Sequence, residues 1–277
     1  MTGDLVEVVR DDVTLSVRVA GPVDGPPVVL LHGFPDTGDI WHDQVDALAA
    51  AGHRVAAPDM RGCGRSSKPV GSEAYAVPEL IGDVAAICTT LGLGRPRIVG
   101  HDIGAALAWS IAIGAPALCE RLVVLSTGCP TGFGHADLAQ LQRYWYILMF
   151  QTPEAEEFLR RDDWRGLRLL APQHPDLAGV IERWGDPAAL TAALGFYRAN
   201  TSPRSFTSWQ PPARPVGVPT LAILGADDPY GGREQMEASA QFVESSWTLE
   251  VIDDAGHWVQ VDKSTRVSDS LCRFLAD

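Results

Sequence analysis

Short apolar, β-branched runs alternate along the chain with longer stretches of helical spacing, the rhythm of parallel strands joined by crossover helices. An opening hairpin is predicted at 6–10 and 14–20 around Asp11-Asp12, followed by strands at 28–32, 54–58, 97–100, 122–126, 220–224 and 249–252. Helices are predicted at 40–51, 78–91, 105–114, 233–242 and 265–275. The result is an α/β fold, a mostly parallel central sheet flanked by helices on both faces.

The rhythm breaks between 129 and 210, where aromatic and charged residues crowd together and no buried strand is evident. This reads as an inserted helical cap, closed by the stiff return Pro211-Pro212-Ala213-Arg214-Pro215. The expected organisation is a core of 1–128 and 211–277 with a cap of 129–210.

Composition narrows the function. With 277 residues, 46% hydrophobic and 21% charged, the chain suits a folded globule with a sizeable core. A net charge of -13 makes nucleic acid and anionic membrane poor partners. Cys63, Cys88, Cys119, Cys129 and Cys272 are odd in number and contain no C-x-x-C pair, which points to reduced thiols and no zinc ribbon. The acidic start does not read as a secretion signal, and the longest apolar stretch, 104–118, is interrupted and too short to span a bilayer. A cytoplasmic protein is the expectation. No metal or cofactor is called for, and the sequence does not set an oligomeric state.

The strongest chemical signal is Ile98-Val99-Gly100-His101-Asp102-Ile103-Gly104-Ala105, a strand entering a helix through G-x-D-x-G. It has the form of a nucleophile elbow with Asp102 at the centre; the alternative is an aspartate capping the next helix. Leu30-Leu31-His32-Gly33-Phe34-Pro35 ends a strand in a loop that could aim the Phe34 N–H at the same point, with the Ile103 N–H completing an oxyanion hole. His32 reads as a structural hydrogen-bonding residue. Asp227-Asp228-Pro229 and Gly256-His257-Trp258 each follow a strand, so Asp102, Asp228 and His257 occur in the order nucleophile, acid, base. Either aspartate of the adjacent pair could face His257, and spacing to Pro229 favours Asp228. His101 is expected to point away from Asp102, and His42, His53, His135 and His174 sit in surface-like contexts.

Together these segments resemble the α/β-hydrolase fold superfamily, in its branch with an aspartate nucleophile, over nearly the whole chain. The loop Pro58-Asp59-Met60-Arg61-Gly62-Cys63-Gly64-Arg65-Ser66-Ser67-Lys68-Pro69 is similar to one found throughout that branch, and it accounts for the glycines without a dinucleotide site. A carboxylate nucleophile implies displacement at a saturated carbon, giving an alkyl ester that water then splits. The substrate would be an epoxide or an alkyl halide.

The leaving atom separates the two, because an opened epoxide generates an alkoxide that needs an O–H donor. The resemblance to epoxide hydrolases implies two cap tyrosines. Tyr146, by its spacing to Phe150-Gln151, and Tyr197, before Arg198, match them; the same resemblance implies a cis Phe34-Pro35 peptide. Haloalkane dehalogenases are similar in fold but place Trp after the nucleophile, where this chain has Ile103. Fluoroacetate dehalogenases share His-Gly-Phe-Pro but carry arginines after the nucleophile and a cap His-Trp pair, where this chain has Trp145-Tyr146. Trp145, Phe150, Phe196 and Trp258, with Trp164 and Trp209, are expected to shape an apolar pocket. The expected reaction is hydrolysis of an apolar or aromatic epoxide to a vicinal diol, with the epoxide and water as partners. Dehalogenation by the same residues and a non-catalytic small-molecule receptor are the alternatives.

Overall fold

The computed structural model describes residues 2–130, 138–206 and 212–276. β1 (Asp4–Arg10) and β2 (Val13–Ala20) pair antiparallel, turned by Asp11 at a φ of 53°. β2 pairs antiparallel with β4 (Arg54–Pro58). From β4 through β3 (Pro27–Leu31), β5 (Arg97–His101), β6 (Leu122–Leu125), β7 (Thr220–Gly225) and β8 (Trp247–Ile252) every pairing is parallel. The sheet order is β1-β2-β4-β3-β5-β6-β7-β8.

The inner strands β5, β6 and β7 are buried at every position, which is why they read as unbroken apolar runs. Helices α1 (His42–Ala50) and α11 (Ser264–Leu275) cover one face around Trp41, Leu48 and Leu271. Helices α2 (Val77–Leu91) and α3 (Ile103–Gly114) cover the other around Ile87, Leu107 and Ile111. The long apolar stretch of the sequence is therefore a helix enclosed by protein. Among the described residues, no helix is long and apolar enough to cross a membrane.

Two expected helices are shorter than their patterns. The segment 40–51 is entered through a 3-10 turn, Gly38–Trp41, and 233–242 divides into α9 (Arg233–Ala238) and a second 3-10 turn, Ser239–Phe242. Strand β8 begins two residues before its expected start. It is a sheet edge with only Ile252 buried, so its alternation is weak in sequence.

Between β6 and β7 the described residues hold no strand. They form α4 (Leu138–Arg143), α5 (Trp145–Phe150), α6 (Ala155–Leu170), α7 (Leu177–Arg183) and α8 (Pro187–Asn200). Helix α6 is broken at Arg161, and Asp162, Asp163 and Trp164 have positive φ. Asp186 caps α8 by accepting the Ala188 N–H at 2.9 Å, and Pro187 occupies the first turn, where its missing N–H costs nothing. His135, Trp209 and Pro211 lie outside the described residues. The short α10 (Val259–Asp262) precedes α11.

Candidate active site

The candidate residues collect beyond the carboxyl ends of the parallel strands, where an open α/β sheet offers a crevice. Asp102 follows β5 and His257 follows β8; Phe34 lies on the loop after β3 and Asp228 on the loop after β7.

Asp102 sits at φ 53° and ψ -121°, a strained conformation for a non-glycine residue. Its neighbours must be small for a steric reason. A Cβ on Gly104 would lie 2.2 Å from the Leu31 carbonyl oxygen, and one on Gly100 would lie 2.2 Å from that of Gly104. The side chain emerges toward the β3 loop, where the Phe34 N–H donates to Asp102 Oδ1 at 2.8 Å. Ile103 opens α3 at the same point, so its N–H belongs to the helix end that lacks intrahelical acceptors. The Phe34–Pro35 peptide is cis.

His257 Nε2 lies 3.6 Å from Asp102 Oδ2, and His257 Nδ1 lies 3.2 and 3.1 Å from the two oxygens of Asp228. Asp227 is exposed, so the geometry selects the second aspartate of the pair. Asp228 Oδ1 also accepts the Tyr230 and Gly231 N–H groups at 2.8 and 2.9 Å. Burial opposes a charged carboxylate, but His257 and these donors hold Asp228 below its ordinary range. Burial likewise opposes a charged imidazole; Asp228 and Asp102 overcome it and raise His257 to about 10.

Tyr146 and Tyr197 face Asp102 from α5 and α8, their ring centroids 6.1 Å apart. Burial first, and then the negative charge of Asp102, push both phenols well above their ordinary value, so they keep their protons as donors. Their helices are fastened together. Gln151 Nε2 donates to the Tyr197 carbonyl at 3.1 Å, and Arg198 donates to the Phe150 carbonyl at 3.0 Å while pairing with Glu156 at 2.6 Å.

Two cavities meet at Asp102. The larger, about 410 Å³, is lined by Asp102, Tyr146, Tyr197, Ala106, Ile147 and Phe196, among others. The smaller, about 20 Å³, is lined by Asp102, both tyrosines, His257, Tyr230 and Trp258, among others.

Of the expected pocket residues, Phe196 lines the large cavity and Trp258 the small one. Trp145 requires correction. It is 50% exposed because α5 turns Tyr146 and Phe150, four residues apart, inward and leaves Trp145 outside. Phe150 is fully buried and lines neither cavity; it packs behind Phe34, Tyr146 and Tyr197 at ring distances of 5.3, 5.5 and 5.0 Å. Trp164 packs on Trp184 instead.

Several contributors were not legible in the sequence. His101 does not simply turn away: its Nε2 donates to the His257 carbonyl at 2.9 Å, and burial followed by the nearby His257 charge depresses it to about 4. His174 is no surface residue, because its Nε2 contacts Asp36 Oδ1 at 2.9 Å with both side chains buried. Tyr230 stands edge-on to His257 with ring centroids 4.8 Å apart. The proximity of Tyr230 to Asp228 was the available signal; nothing local marks Asp36 with His174, which are 138 residues apart. His32 accepts the Met60 N–H at 2.9 Å, and the glycine loop is anchored by Arg61 paired to Asp83 at 2.6 Å.

Among the described residues no group of three or more His, Cys, Asp or Glu side chains is placed to hold a metal ion. A sequence model of the alpha/beta hydrolase fold matches residues 26–264. Epoxide hydrolase A of Mycobacterium tuberculosis is 32% identical, with 95% of this chain and 94% of that protein aligned. The AB hydrolase superfamily protein YfhM of Bacillus subtilis is also 32% identical over the same shares. A solved structure described as one of the novel epoxide hydrolases from metagenomes of hot environments superposes with a TM-score of 0.87 at 29% identity, covering 99% of each chain.

Proposed function

Because this chain belongs to the α/β-hydrolase fold family, we propose that it is an epoxide hydrolase that opens an apolar or aromatic epoxide to a vicinal diol through an ester on Asp102. The observation that carries the reading is the pair of protonated phenols, Tyr146 and Tyr197, lining the same cavities as Asp102. Release of a halide needs no such proton donor. The relatives named as epoxide hydrolases support the same reaction class.

In the first step an oxygen of Asp102 bonds to one epoxide carbon and the carbon–oxygen bond of the ring breaks. Tyr146 and Tyr197 hydrogen-bond the departing oxygen, and one of the two gives it a proton and is left as a tyrosinate. Ester formation removes the negative charge of Asp102, one of the two charges that hold the proton on His257. The imidazole then returns that proton to the tyrosinate left by ring opening and, now neutral, acts as base, with Asp228 orienting it. Water loses a proton to His257 Nε2 and its oxygen bonds to the Asp102 carboxyl carbon. Negative charge grows on the other carboxyl oxygen, opposite the Phe34 and Ile103 N–H groups. The ester bond breaks as His257 Nε2 passes the water-derived proton to the leaving alkoxide, the diol departs, and Asp102, which retains one solvent oxygen, gives the second water proton back to His257. On this reading helices α4–α8 belong to a cap spanning 129–210 over a core of 1–128 and 211–277.

Incubation with styrene oxide, fluoroacetate and a bromoalkane tests the assignment. Diol release from the first alone is the expected result. Halide release without diol would assign a dehalogenase, and no turnover of any of the three would assign a receptor.

A further inference from the structure

The two cavities have different walls. Asp102, Tyr146 and Tyr197 line both, whereas His257 lines the small one and not the large one. A chamber of about 20 Å³ is too small for an organic group, but roughly 10–15 Å³ suffices for one water. The substrate body therefore belongs in the large cavity and the attacking water beside His257. Leu170 and Ala171, at the end of α6, complete the wall of the small chamber.

This stretch is held by loops that each carry a member of the candidate catalytic set. Tyr230, two residues after Asp228, donates its Oη to the Leu170 carbonyl. Asp36, two residues after Phe34, accepts from His174 Nε2 at 2.9 Å and from Trp258 Nε1 at 3.0 Å, and Trp258 follows His257. The Asp176 N–H donates to His174 Nδ1 at 2.9 Å, which leaves Nε2–H for Asp36. The Asp36 and His174 side chains are only 2% and 1% exposed, so loss of either partner strands a buried polar group.

Resting on the aspartyl-ester reading, we propose that the stretch 170–174 sets Leu170 and Ala171 as the closing wall of the water chamber, with Asp36, His174 and Tyr230 as positioning residues for ester hydrolysis. Ester formation does not depend on them, since the substrate meets Asp102 from the larger cavity, whereas the water must be held against both His257 and the ester carbon. Misplacement by about 1 Å at such a point costs up to roughly 10²-fold in rate.

The test is rapid-quench intact mass spectrometry with styrene oxide on the wild type, His174→Phe, Tyr230→Phe, His174→Gln and, as a trap for the ester, His257→Gln. In the two Phe variants the adduct should form within about twofold of the wild-type rate and decay about tenfold or more slowly, so that it accumulates. His174→Gln keeps an amide donor for Asp36 and should restore decay to within about threefold. Formation and decay slowed together in Tyr230→Phe, or unchanged decay in Tyr230→Phe or in a folded His174→Phe, overturns the proposal. Tyr230→Phe removes a single hydroxyl and carries the test alone if His174→Phe does not fold. Absence of any adduct, even in His257→Gln, overturns the aspartyl-ester reading itself and this proposal with it.

Discussion

His257 is held between two carboxylates, and that arrangement has measurable consequences for the resting protein. Its ordinary value of 6.5 rises to about 10 in the folded chain despite burial, chiefly through Asp228 and Asp102. A folded pKa above the unfolded one contributes stability that is complete below 6.5 and drains away as pH rises toward 10. The denaturation midpoint should therefore fall across that window, and His257→Gln should flatten the fall; an equal decline in both proteins would contradict the ion pairing. In the proposed reaction the phenols act at ring opening. Replacing Tyr146 and Tyr197 together by Phe should lower the rate of ester formation by about 10²–10⁴-fold, the usual contribution of a positioned acid. Single-turnover alkylation at the wild-type rate in that double variant would remove them from the mechanism. At this scale the sequence was most informative where chemistry and backbone coincide. Asp102 is flanked by glycines that only a close approach requires, while Asp36 and His174 carry no local mark and meet only through the fold.

The turn from β5 into α3 depends on bare backbone. At Gly104 an added methyl would meet the carbonyl oxygens of Leu31 and His32 at 2.2 and 2.4 Å, and neither is the end of a flexible side chain. Gly104→Ala should destabilise by about 1–3 kcal/mol or more, as overpacking does, and should displace Asp102 from the Phe34 N–H. Gly217, which has nothing within 4 Å of an added Cβ, is the control and should change stability by less than about 0.5 kcal/mol on the same substitution. Equal urea midpoints for the two variants would refute the steric account. Inner strands were readable because burial on both faces leaves unbroken apolar runs. The ends of α1, α9 and β8 were less so, since 3-10 turns share the composition of helices and a half-exposed edge loses its alternation.

Across the whole molecule, the helices between β6 and β7 share one apolar core with the sheet. Tyr146, Phe150, Leu194 and Tyr197 belong to the same buried cluster as Ile103, Leu107 and Val124. Native-state hydrogen exchange should accordingly show α8 opening with a free energy close to that of β5. Much earlier opening of α8 would mean that the two parts are only loosely joined. The helical character of this segment was legible from its lack of buried strands, but the inward faces of α5 and α8 were not. Short helices carry few turns of pattern, and Trp145 is as apolar as the residues that turn inward. The sites meet at one carboxyl group, and the central claim is that this group becomes part of the substrate for half of each cycle. A single turnover in ¹⁸O-water, followed by digestion and mass spectrometry of the peptide containing Asp102, tests it directly. Heavy oxygen should enter the Asp102 carboxylate while the first diol released stays unlabelled; label in that diol with an unlabelled Asp102 would mean that water attacks the epoxide itself.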